Sequence, residues 1–262
     1  MKRKNLNIII FSLIALLTAI AITTSNQSGL ASQIQVSRNA SKIPIELNKK
    51  QQSGSNRGRP TKRRGMGSRN DCPVRSIPLT ALIRENEVGK VVEANPTFWL
   101  FIPYQASEIP INGEFVLQNE THNNVYQTDL SIDKGEGIYS ISLPLEKSLE
   151  TDKIYQWYFK LYCKPDKSSI PIYVRGWVQR VALEPLQQKQ LIATYSPEQR
   201  FAFYIQNDIW YSALTELVKL KQANPKNQMI AKYWLQLLNS VGLQELSNKP
   251  IVNCQSQLPT NT

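Results

Sequence analysis

The decapeptide IYQWYFKLYC, residues 154–163, decides how this chain is read. Its side chains alternate, with Tyr155, Trp157, Phe159, Leu161 and Cys163 on one face and Gln156, Tyr158, Lys160 and Tyr162 on the other. A period of two with this aromatic content marks a strand, not a helix. One face must be core, because fully burying side chains of this size stabilises by about 1.5–3 kcal/mol each. Tyr155 stands near the start of a late strand, where a tyrosine hydroxyl can turn back to the backbone at a Greek-key corner.

Working outward, the runs Phe98-Trp99-Leu100-Phe101-Ile102 and Val174-Arg175-Gly176-Trp177-Val178 supply partners for an aromatic interior. Gly176 in mid-strand predicts either a bulge or an aromatic ring packed over it. Strands are predicted at 79–83, 97–102, 113–119, 124–130, 137–143, 154–163 and 171–182. Turn chemistry separates them, as at Asn95-Pro96, Asn112-Gly113, His122-Asn123-Asn124 and Lys134-Gly135-Glu136-Gly137. Short strands at this spacing, with no helix between them, predict a mainly β fold over 77–183: an antiparallel immunoglobulin-like β-sandwich.

After Leu183 the apolar period becomes helical, predicting helices at 185–194, 197–206, 209–222 and 226–240. Pro185 and Pro197 suit first-turn positions, Ser196 a cap, and Gly242 a stop. Ala213, Leu217, Leu220 and Pro225 fall at the offsets of the second helix of a tetratricopeptide repeat, with Tyr204 at the aromatic position of the first. A solenoid needs about three such units and one is visible. Residues 184–248 are therefore expected to be a small helical appendage docked on the sandwich, followed by a flexible tail over 249–262.

The other end of the chain is different in kind. Lys2-Arg3-Lys4 precedes an apolar run from Leu6 to Ile22, the pattern of a secretory signal, with cleavage expected after Ala31 and Ala19-Ile20-Ala21 as the alternative site. An uncleaved anchor is the competing reading, although the run is shorter than the roughly 20 residues that span a bilayer. Residues 32–76 are polar and poor in large apolar side chains, which predicts a disordered linker. Residues 49–75 hold nine basic side chains against one acidic, whereas 76–262 hold 17 against 18. The charge of +11 thus belongs to the leader and linker, and the folded part is neutral.

Three cysteines in an exported chain allow one bridge and one remaining thiol. A bridge between Cys72 and Cys163 would staple the linker to the sandwich and contribute on the order of 4 kcal/mol. Cys254 is then left to stay reduced or to pair between chains. Catalytic, metal and cofactor motifs are not found: the one histidine, His122, reads as a solvated turn residue, and Glu85 and Glu87 read as solvated carboxylates in a polar connection. The basic tract offers Arg57, Arg59, Lys62, Arg63, Arg64 and Arg69 for contact with an anionic envelope polymer or lipid headgroups, or else serves as a solvated spacer. Arg57-Gly58-Arg59-Pro60 matches the core of minor-groove AT-hook peptides, but export argues against nucleic acid.

Several blocks resemble the cyanobacterial family designated domain of unknown function 928. They are Gly65-Met66-Gly67-Ser68-Arg69 before Asp71-Cys72-Pro73, Leu79-Thr80-Ala81-Leu82-Ile83, Pro96-Thr97-Phe98-Trp99, Gly113-Glu114-Phe115-Val116-Leu117-Gln118, Trp157-Tyr158-Phe159, Gly176-Trp177-Val178-Gln179-Arg180-Val181 and Trp210-Tyr211-Ser212-Ala213-Leu214. The resemblance spans roughly 60–252 and implies an exported protein of the periplasm, outer envelope or extracellular space. It brings no catalytic residues, and its blocks, Trp99, Trp177 and Arg180 included, read as structural. The leading expectation is a non-enzymatic binding or scaffold module making protein contacts in the envelope. A carbohydrate- or anionic-polymer-binding module with exposed aromatics such as Trp99, Tyr104 or Tyr126 is the alternative. A hydrolase with an unrecognised carboxylate pair is the third reading, and it requires two acids in one cleft.

Overall fold

The alternation in residues 154–163 is realised at the centre of a two-sheet fold. The computed structural model describes residues 59–65, 72–105, 107, 111–164, 167–168 and 170–252. The expected signal sequence, Arg57, Arg69, Cys254 and residues 253–262 lie outside the described residues.

The strands are β1 (Arg64–Gly65), β2 (Leu79–Ala81), β3 (Val88–Val91), β4 (Thr97–Ile102), β5 (Asn112–Gln118), β6 (Asn124–Ser131), β7 (Gly137–Ser142), β8 (Ile154–Tyr162) and β9 (Ile172–Arg180). Helices α1 (Pro185–Ile192), α2 (Pro197–Gln206), α3 (Trp210–Ala223) and α4 (Gln228–Ser240) follow. One sheet has the order β1-β2-β4-β7 and the other β3-β9-β8-β5-β6. The expectation of a wholly antiparallel arrangement is corrected at β3, which runs parallel to β9 from Val88↔Trp177 to Val91↔Arg180. Its sequence, VGKV, is too short to show alternation, and the polar run Glu85-Asn86-Glu87 precedes it.

Phe98 of β4 lies 4.9 Å from Phe115 of β5, 5.4 Å from Trp157 of β8 and 5.6 Å from Tyr211 of α3, ring centre to ring centre. Both sheets and α3, the longest helix among the described residues, therefore meet at one ring, and a single core runs through all three. The Trp157 indole N–H donates to the Tyr211 hydroxyl (2.7 Å), which donates to the Trp177 carbonyl (3.1 Å), so the buried polar atoms among these rings have partners. Two close approaches need glycine. A Cβ on Gly176 would stand 2.7 Å from the Trp157 indole, and one on Gly89 would stand 2.3 Å from the Tyr211 ring. Of the two readings of Gly176, the ring packed over it is the one observed.

The helices begin as their caps dictate. Ser196 accepts from the Gln199 N–H while Gln199 reaches back to the Ser196 N–H, with Pro197 in the first turn. Gly242, with φ of +68°, follows α4. Trp210 donates to the Leu82 carbonyl (3.0 Å) and Trp99 to the Thr215 hydroxyl (3.0 Å), which seats α3 on the first sheet. The Tyr155 hydroxyl accepts from the Glu150 N–H (3.2 Å), the backbone contact expected of it.

Two expectations of disorder are corrected where the structure describes those residues. In the expected linker, Lys62 exchanges both backbone hydrogen bonds with Arg175 of β9, and Arg64–Gly65 pairs with Leu79–Thr80 of β2. This strap joins β2 of one sheet to the stretch of β9 that β3, paired along Trp177–Arg180, leaves uncovered. In the expected tail, Ile251 bridges Ile138 of β7, with Ile138 N–H on the Pro250 carbonyl and Val252 N–H on the Ile138 carbonyl. Composition misses both because the ordering entropy is repaid by backbone pairing with edges formed far away in the chain.

Candidate functional site

Register places the second set of side chains from residues 154–163 on the outer face of the five-stranded sheet. Gln118 of β5 pairs with Gln156 of β8, Val116 with Tyr158, and Glu114 with Lys160. Across β9 the partners are Trp177, Arg175 and Tyr173. Alternation then puts Gln118, Gln156 and Trp177 in one row, Val116, Tyr158 and Arg175 in the next, and Glu114, Lys160 and Tyr173 in the third. On the far strand β6, Asn124, Gln127 and Asp129 extend these rows and are exposed.

The polar groups of the face form a connected set. Glu114, 8% exposed, accepts from Lys160 Nζ (2.8 Å), Gln127 Nε2 (3.2 Å) and the Tyr162 hydroxyl (3.2 Å). Burial first, and the adjacent Glu114 carboxylate second, push the Tyr162 hydroxyl above its ordinary range. The Tyr158 hydroxyl donates to Gln156 (2.7 Å), Gln118 to Asn124 (2.9 Å) and Asn124 to Gln127 (3.1 Å). Tyr158 and Tyr173 lie 6.4 Å apart. Planar rings and planar amides thus share this face, on which Tyr158, Tyr162 and Tyr173 are partly exposed while Gln156 and Trp177 are buried.

The strap closes one side of this face. Lys62 Nζ sits 3.7 Å from the centre of the Tyr173 ring and the Arg59 guanidinium 4.7 Å from that of Trp177, whose indole donates to the Pro60 carbonyl (3.1 Å). The next two cations turn inward. Arg63 donates to the Val241 carbonyl and pairs with Glu85 (3.2 Å), while Arg64 pairs with Glu245 (2.5 Å). Burial, the largest influence, lowers the Arg63 pKa from its ordinary value, against the opposing pull of Glu85. The six cations expected to act together are therefore divided. Arg59 and Lys62 lie on the face, Arg63 and Arg64 are engaged within the fold, and Arg57 and Arg69 are outside the described residues.

Other expected positions resolve as follows. Cys72 and Cys163 form a disulfide at the end of β8. The aromatics considered for carbohydrate contact do not form an exposed row: Trp99 is 6% and Tyr104 3% exposed, and Tyr126 is half-buried against Phe115 at 6.3 Å. Trp99 is covered by α3, and Tyr104 donates to the Pro73 carbonyl (2.9 Å) beneath Arg75. Arg180 donates to the Leu149 carbonyl (2.9 Å), a structural contact. His122 occupies a turn at φ of +63°. Glu85 and Glu87 each face an arginine, Arg63 and Arg84, instead of each other. Among the described residues no group of three His, Cys, Asp or Glu side chains is placed to hold a metal, and no helix is long and apolar enough to cross a membrane.

The comparisons agree with the family resemblance. The family model described as Domain of Unknown Function (DUF928) matches residues 64–251, and the chain belongs to that family. No curated protein matches it. Among solved structures, one described as the crystal structure of the C-terminal domain of wzt is 10% identical, with a TM-score of 0.25. That similarity covers 37% of this chain and 65% of the other, less than two thirds of its length.

Proposed function

We propose that this member of the DUF928 family is an exported, non-enzymatic module of the cell envelope that binds polysaccharide on the outer face of its five-stranded sheet. The observation that carries the reading is the composition of that face. Tyr158, Tyr162 and Tyr173 stand among Gln118, Asn124 and Gln127 on strands whose opposite faces pack on the core. Sugar rings offer C–H faces to aromatic planes and hydroxyl pairs to planar amides, so such a surface matches a glycan better than it matches a flat apolar partner. In this reading the two sheets are an immunoglobulin-like sandwich and α2–α3 a single tetratricopeptide-like hairpin. The basic leader and apolar run of residues 2–22 support export.

Affinity electrophoresis through gels containing dextran or polygalacturonate tests the proposal. Retardation in at least one gel is expected, with its loss in Tyr158→Ala at unchanged melting temperature. Unchanged mobility of the wild type in both gels overturns it. A second reading, a protein partner on the helical side, is favoured by Leu186, Ile192 and Tyr195, exposed in and just after α1, a helix that buries none of its residues. Substituting these three by Ser would leave glycan retention intact and abolish a protein contact if one is made there.

A further inference from the structure

Lys62 and Arg175 form a hydrogen-bonded antiparallel pair, with N–H to carbonyl distances of 3.0 and 2.9 Å. Side chains of such a pair leave the backbone on the same face with Cβ atoms about 5 Å apart, and like charges set opposite one another there are destabilising. Neither Lys62 nor Arg175 has an ion-pair partner among the described residues to offset this. Lys62 rests on the Tyr173 ring, and the Arg175 Nε is buried with no hydrogen-bond acceptor. Arg59 extends the row over Trp177, with no carboxylate paired to it among the described residues. The rest of the same face obeys the opposite rule: Lys160 is paired with Glu114 (2.8 Å) and Lys167 with Asp129 (2.6 Å). Positive charge is thus left uncompensated at one place on the face, where it borders the aromatic row Tyr158–Tyr173.

We propose that the polysaccharide bound on this face is acidic and that its carboxylate or sulfate groups seat on Lys62 and Arg175. The proposal rests on the binding-face reading above and adds the ligand's charge to it. Two oxygens of such an acid group suit the guanidinium fork, and an ammonium beside it donates to one of them or, in a sulfate, to a third. A sugar residue carrying that group can lie on Tyr158 at the same time, which a free anion cannot do. A bilayer fits less well, since none of the exposed large apolar side chains belongs to β5, β6, β8 or β9.

The test compares wild type with the double variant K62Q/R175Q in the same gels, using the full chain. The apparent affinity for polygalacturonate is expected to fall at least tenfold, the scale of one lost charge-assisted hydrogen bond. Any retention in neutral dextran should be unchanged, and the melting temperature unchanged or raised because the opposed charges are gone. Binding of wild type to polygalacturonate should also weaken steeply as sodium chloride is added, a measurement that requires no variant to fold. Undiminished binding by K62Q/R175Q, or salt-independent binding by wild type, overturns the acidic-group assignment. If Tyr158→Ala still abolishes retention in that case, the binding face survives and only the charge assignment fails. Equal affinity for double-stranded DNA, lost in the same double variant, would replace acidic-glycan recognition with general polyanion contact and also overturns the proposal.

Discussion

Arg63–Gly65 and Arg59–Lys62 are adjacent lengths of one basic strap, and their cations meet opposite fates. Arg63 and Arg64 reach across to the helical part, where Val241 offers the C-cap carbonyl of α4 and Glu245 a carboxylate, and Arg63 also meets Glu85 of the β2–β3 connection. Helix C-termini leave carbonyls without intrahelical donors, so an arginine there satisfies the backbone as well as a charge. Arg59 and Lys62 turn the other way and lie on rings, with no carboxylate among the described residues. Cation–ring contact at exposed sites is worth only about 0.5–1 kcal/mol. The comparison teaches that basic residues close in sequence divide by surroundings: the inner pair contributes to the fold, while the outer pair keeps its charge available at the surface.

The largest way to break this arrangement is to release the anchor that follows it. Cys72→Ser with Cys163→Ser opens a bridge between residues 91 apart. The stability lost should be about 4 kcal/mol in the chain-entropy model, read by denaturant unfolding with and without reductant. Next comes the inner half itself. Arg63→Ala removes both the Val241 contact and the Glu85 pair from a side chain that is 11% exposed, and a loss of about 1–3 kcal/mol is expected. Arg64→Gln should cost under about 1 kcal/mol, because both members of its pair are roughly 30% exposed. Equal losses at Arg63 and Arg64 would show that the strap is held by backbone pairing alone.

How much of this was legible in the sequence depends on the kind of signal. Alternation in IYQWYFKLYC separated Trp157 and Phe159 from Tyr158 and Lys160 and required one of the two faces to be core; the structure buries Trp157 and Phe159 and leaves Tyr158 and Lys160 partly exposed. The same rule is silent on FWLFI, because both faces of β4 are covered: Phe98 meets the rings of β5 and β8 while Trp99 meets α3. Trp99 could therefore be read both as structural and, in the carbohydrate-binding alternative, as an exposed aromatic, and it is buried. Local caps at Ser196 and Gly242 were readable because their chemistry lies within a few residues. The opposition of Lys62 to Arg175 was not, since it arises from pairing between remote segments that no local period reports. The outer face of β9 was hidden likewise: Tyr173, Arg175 and Trp177 acquire meaning only beside Tyr158 and Lys160.

Between the two halves of the strap in size of effect stands a wholly buried polar group. Burial pushes the Tyr211 hydroxyl well above its ordinary value of 10, opposed in part by the hydrogen bond from Trp157. A native pKa above the unfolded one means that this stability is complete below pH 10. It is lost as pH climbs from there toward the native value, because the unfolded chain ionises first. Tyrosinate absorbance during alkaline unfolding should show this, and Tyr211→Phe should flatten the alkaline decline. At neutral pH the same variant should lower stability by about 1–3 kcal/mol, since the Trp157 N–H loses its acceptor. An alkaline profile identical to wild type would place the sensitivity at Tyr204, whose hydroxyl is also raised by burial and then by Glu93.

The smallest effect is the most discriminating because its sign is reversed. If the outer cations are retained for a ligand and not for folding, Arg175→Gln removes a like-charge opposition and should stabilise the unliganded protein by a few tenths of a kcal/mol. The gain should shrink as salt screens the repulsion in the parent. Side chains retained for function commonly cost stability in this way, whereas one retained for packing loses stability on truncation. A fall in melting temperature for Arg175→Gln at low salt would assign the guanidinium to packing on Tyr158 and leave the strap's outer half without the opposing charge of β9 that sets it apart. A rise accompanied by weaker retention in polygalacturonate would fix the distinction as one between folding and binding.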